Sequence, residues 1–158
     1  MTDYLFLKFL HVIGATVLLG TGAGIAFFMV MANRTGDAAT IAATARIVVI
    51  ADFVFTATAV IAQPVTGVLL ANAVGYPLDE GWIVASIALY LFTGAFWLPV
   101  VWMQAKMRDL ATNAAASGDA LPGLYHRLYR TWFAFGFPAF FAVLAIFWLM
   151  ISRPEIAL

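Results

Sequence analysis

Four apolar stretches, each near or above the roughly 20 residues that carry an α-helix across a hydrocarbon core, constrain this chain more than anything else in it. They run from about Tyr4 to Ala32, from Ile47 to Ala73, from Trp82 to Met103 and from Thr131 to Ile151, with the last helix beginning as early as residue 127. Lipid offers the backbone no hydrogen-bond partner, so each stretch is expected to be helical. The fold class that follows is all-α: a polytopic membrane protein, a single four-transmembrane-helix bundle over residues 1–158. Composition agrees. Hydrophobic residues make up 65% of the chain and charged residues 10%, against about 45–50% and about 25% in soluble domains, and the mean hydropathy is +0.99. Lipid is therefore the expected partner. A formal net charge of zero with no basic stretch excludes nucleic acid. With no cysteine, disulfides, iron–sulfur clusters and thiolate zinc sites are excluded too.

Asp3, Lys8 and His11 break the pattern of a signal peptide, so the first segment is expected to be retained. The connections are Asn33–Arg46, Val74–Gly81 and Lys106–Arg130, and Asn113–Gly118 within the last reads as a mobile loop. Arg34, Arg46, Lys106, Arg108, Arg127 and Arg130 flank the first and third connections, whereas the second carries Asp79 and Glu80. The positive-inside rule puts the first and third in the cytoplasm and both termini outside, as in a bacterial inner membrane. Tyr4, Tyr76, Trp82, Trp102, Tyr125, Tyr129, Trp132 and Trp148 fall where an interfacial aromatic belt is expected. Pro64, Pro99 and Pro138 lie inside helices, where each removes a hydrogen bond and favours a kink; such kinks either enclose a cavity or are simply tolerated.

Polar residues within a span need a partner or a role. Here they are His11, Asp52, Thr56, Gln63, Thr66, Ser86, Tyr90 and Thr93. By helical rise, His11, Gln63 and Tyr90 lie roughly 10, 13 and 12 Å from the outer ends of their helices, so three helices contribute to one polar layer, with Ser86 shallower. Asp52, Thr56, Ala59, Gln63 and Thr66 share one helical face, and so do Ser86, Tyr90, Thr93 and Trp97. Gly14, Ala15, Leu18 and Gly22 continue the side of His11 and leave room for a partner helix or a flat ligand. An imidazole there can ligate heme iron, hold copper or zinc, relay protons or bond to a neighbour. A bare metal lacks further ligands at that depth; a single axial heme ligand needs none from the protein.

His126, within Tyr125–Arg130, is too far from His11 to share an iron and reads as interfacial. Asp52 is expected to pair with Arg130, Arg127 or Arg46, the alternative being a proton relay. Gly20 and Gly24 give a GxxxG spacing suited to close packing, including a homodimer through helix one.

The opening Tyr4–Gly14 (Y-L-F-L-K-F-L-H-V-I-G), Gln63-Pro64-Val65-Thr66-Gly67, Phe96-Trp97-Leu98-Pro99, the run Tyr125–Trp132 and the closing Trp148–Pro154 together resemble a bacterial family known only as predicted integral membrane proteins with a domain of unknown function. More distantly, the pattern is similar to the HemJ-type protoporphyrinogen oxidases and to CopD-like membrane proteins. The HemJ resemblance implies that His11, in an L-H-V motif, binds heme b. That group's lysine early in helix three falls on Ser86, which supplies neither a strong ligand nor a cation, so the implied likeness extends to heme binding rather than to protoporphyrinogen oxidation. The CopD likeness implies copper transport, for which the chain has no ligand-rich site. The expectation is a b-type heme protein, an oxidoreductase if it is an enzyme, with His11 as axial ligand, Gln63, Tyr90, Ser86 and Gly14 lining the pocket, and a redox partner that the sequence does not identify. Its alternatives are a non-catalytic membrane accessory or structural subunit with a satisfied histidine, and a small ion or metabolite transporter using Asp52 and Gln63. Four helices without a repeat suit alternating access only as a dimer.

Overall fold

A computed structural model describes residues 2–157, so the ends of the 1–158 domain lie outside the described residues. It has four long helices and no strand among them: α1 (Thr2–Thr35), α2 (Ala38–Val74), α3 (Gly81–Ser117) and α4 (Gly123–Ser152). All four are long and apolar enough to cross a membrane. Within α2 the residues Asp52–Thr56 form one π turn, closed by the Ala57 N–H on the Asp52 carbonyl.

The helices overrun their expected ends at the arginine side. Helix α2 begins at Ala38 rather than Ile47, and α3 continues to Ser117 rather than ending near Met103. The first connection shrinks to Gly36 and Asp37, and the third to Gly118–Pro122. Asn113–Gly118 is therefore not a mobile loop: Asn113–Ser117 close α3, and Gly118, at φ 73°, is its left-handed cap. The reason is local. Asp37 accepts from the Thr40 N–H at 2.8 Å and so starts α2 well before its apolar stretch, while alanine-rich segments extend a helix without any help from lipid. At about 1.5 Å per residue, the 37 residues of α2 and of α3 each reach about 55 Å, far beyond a hydrocarbon core of about 30 Å.

The dense core lies at this arginine-flanked end. Ile25, Met29, Ile41, Ala45, Val48, Met103, Met107, Ala111, Tyr125 and Trp132 are buried together there. Helices α3 and α4 stay in contact, α1 lies along α2, and α1 barely touches α4. Beyond the π turn, α2 keeps α1 as its main neighbour, and the two helix pairs draw apart. The accessible surface of 9308 Å² exceeds the roughly 7,700 Å² of a compact globule of 17.1 kDa, as such a splayed bundle should.

Three members of the expected aromatic belt are packed instead. Tyr125, Trp132 and Trp82 are buried, whereas Trp102 and Trp148 do face outward. At the far end the tail after α4 folds back. Arg153 lies over the Tyr76 and Trp82 rings at 5.4 and 5.9 Å and donates to the Tyr76 hydroxyl at 3.0 Å. Ile156 rests on Gly81 so closely that a Cβ there would meet its backbone.

Candidate functional site

The inward faces read from the spacing hold. Asp52, Thr56, Ala59 and Thr66 are buried and Gln63 half-buried on α2; on α3 Ser86 is buried and Tyr90, Thr93 and Trp97 are half-buried. These residues form two polar clusters, roughly 17–21 Å apart along α2 by helical rise.

The first cluster joins α1 to α2. His11 Nδ1 lies 2.9 Å from Thr66 Oγ1, and the Gln63 amide donates to the His11 carbonyl at 2.8 Å. The Thr66 hydroxyl has a single proton, and it is used on the Ala62 carbonyl at 2.7 Å. With that proton so used, Thr66 accepts from His11 when the imidazole carries its proton on Nδ1, the tautomer that leaves a lone pair on Nε2. Small residues permit this approach: a Cβ on Gly14 would run into the Gln63 amide, and one on Gly67 would stand 3.3 Å from His11 Cε1.

Two of the expected pocket residues are spent elsewhere. The Ser86 hydroxyl donates to the Trp82 carbonyl of its own helix at 2.7 Å. Tyr90 crosses from α3 to donate to the Val60 carbonyl at 2.5 Å. Pro64 explains that bond, because the missing N–H at Pro64 is the one that Val60, four residues earlier, would otherwise accept. His11, Gly14 and Gln63 thus come together, while Tyr90 and Ser86 make no hydrogen bond with them.

The second cluster surrounds Asp52 at the π turn, and it corrects the expected ion pair. No arginine reaches this carboxylate among the described residues; Arg46, Arg127 and Arg130 are exposed on other faces. Trp97 Nε1 donates to Oδ1 at 3.4 Å. The Gln104 amide donates to Oδ2 at 3.3 Å, and its carbonyl accepts from Trp132 Nε1 at 3.2 Å, in the one amide orientation that satisfies both neighbours. Gln104 is only 2% exposed, yet sequence reading missed it. It stands one residue past the apolar stretch, where an interfacial side chain costs nothing. The signal that finds it is its place on the α3 face, seven residues after Trp97. His126 is exposed beside the Tyr125 ring. Among the described residues no three His, Cys, Asp or Glu side chains stand together.

A family model described as "Predicted integral membrane protein (DUF2269)" matches residues 5–154. No curated protein and no solved structure matches the chain.

Proposed function

The chain belongs to the family of predicted integral membrane proteins (DUF2269), and on that premise we propose that this membrane protein holds a b-type heme, with His11 as its axial ligand. The observation that carries the reading is the contact of His11 Nδ1 with the Thr66 hydroxyl. It orients the ring, and with the proton on Nδ1 donating to Thr66, an outer-shell bond of the kind ligating histidines make, the Nε2 lone pair is available to a metal. The residues present fit the group: the porphyrin brings four nitrogens of its own, so one histidine suffices, and Gly67 leaves the Cε1–Nδ1 edge of the imidazole room to lie against α2. Bound heme would supply one-electron redox chemistry. The chain's own part is to hold the ring, with Gln63 fixing the α1 backbone at His11 and Tyr90 closing the carbonyl opened by Pro64. The reading keeps a bacterial inner-membrane location with both termini outside, and a homodimer through α1, where Cβ atoms on Gly20 and Gly24 would meet nothing within 4 Å.

A second reading has its own support. His11 is bonded to α2 through both its ring and its carbonyl, so it can serve purely as an interhelical clasp in an accessory subunit. One spectrum separates the two. Protein purified from heme-replete cells should show a Soret band that shifts on reduction, His11→Ala should abolish it, and Thr66→Val should keep a weakened band. A colourless, folded wild type, with His11→Gln equally stable, would sink the heme reading in favour of the clasp.

A further inference from the structure

Asp52 is 4% exposed and meets only neutral donors. An indole N–H donates and never accepts. Trp132 therefore fixes the Gln104 amide with its carbonyl toward the indole and its N–H toward Asp52 Oδ2, and Trp97 points a second donor at Oδ1. Both carboxylate oxygens receive hydrogen bonds. This arrangement suits an ionised carboxylate, which accepts at both oxygens and needs no place for a proton of its own. A buried ionised carboxylate calls for a positive charge, and none reaches it among the described residues.

The space beside it says what kind of charge. A groove of about 350 Å³ runs between α2 and α3, lined by Asp52, Phe53, Trp97, Leu98, Val101 and Trp102 among others. Phe53, Leu98 and Trp102 are exposed, so the groove faces the hydrocarbon of the bilayer. It is roughly ten times the share of liquid volume that one water takes, too large for a bare metal ion to fill. Its walls are apolar and aromatic, and indole faces attract cations.

We propose that this groove binds an amphipathic organic cation, an ammonium or phosphonium centre carrying an apolar body, that enters sideways from the lipid and pairs with Asp52. The carboxylate supplies the charge, the Trp97 and Trp102 rings the cation-stabilising faces, and the π turn sets Asp52 at the base of the groove.

Titration calorimetry with tetraphenylphosphonium, on protein in a non-ionic detergent, tests this. The wild type should bind saturably, near one per chain. Asp52→Asn should weaken binding by about tenfold or more, the loss of one charge pairing on the scale of about 1.4 kcal/mol per tenfold. Trp102→Ala lies outside the hydrogen-bonded cluster, so its fold should survive while binding weakens several-fold. His11→Ala should bind as the wild type does, which separates this site from the heme reading. Absence of saturable binding by the wild type overturns the proposal, as does equal affinity in Asp52→Asn, and either result leaves Asp52 as a site for a proton alone.

Discussion

Tyr90 shows how far single residues were legible. Its depth and face are readable from spacing and suggest a pocket beside His11; its actual partner, the Val60 carbonyl, follows from Pro64 four residues later. Two sequence features had to be read jointly, on different helices, and only their packing joins them. The same holds for Gln104, whose importance depends on Asp52 and Trp132 from two other helices. The Tyr90 bond yields a specific expectation. Tyr90→Phe leaves a part-buried carbonyl inside an apolar span unpaired and should cost about 1–3 kcal/mol, seen as a lower unfolding midpoint in detergent. In a Pro64→Ala background the restored N–H should satisfy Val60, and the cost of Tyr90→Phe should largely disappear. Equal costs in both backgrounds would show that the proline is not the cause.

At the scale of elements, hydropathy located all four helices and misjudged their ends, because it measures what lipid accepts and not where a helix stops. Capping decides that. Gly36, at φ 68°, turns the chain after α1, and Asp37 then accepts from both the N–H and the hydroxyl of Thr40. Those bonds, the hydroxyl's foremost, hold the Asp37 carboxyl below its usual range. Because the folded value is the lower one, its stabilising contribution is complete above the ordinary carboxylate range and is lost as pH falls through the folded value. Asp37→Asn keeps a cap without a charge, so it should remove that acid-limb loss; Asp37→Ala should lower stability at neutral pH as well. Helicity followed by circular dichroism between about pH 2 and 6 checks both, and the effect is small since the residue is exposed. The π turn was not legible at all. One extra residue per turn leaves no mark in an apolar run, yet it sits where Asp52 and Thr56 are buried.

For the whole molecule, charge placement marks out the two ends of the bundle: five of the six arginines gather at one end, and Arg153 lies with Asp79 and Glu80 at the other. How tightly each end packs was not anticipated, and solvent accounts for it. Lipid tails are as apolar as leucine, so they give helices no hydrophobic reason to close, whereas the overrun of α2 and α3 at the arginine end meets water. Burial of Ile41, Met107 and Tyr125 at that end is driven as in a soluble protein, and the pairs part where that drive ends. Urea acts by solvating apolar and peptide groups newly exposed to water. In detergent, then, urea should loosen the residues around Ile41 and Ala111 first, with amide exchange rising there while the segments past the π turn stay protected. Uniform exchange along α2 would contradict this. In calorimetric language, this small membrane protein should carry a heat-capacity increment on partial unfolding that belongs to one end of it, and cooling should weaken that end before the rest.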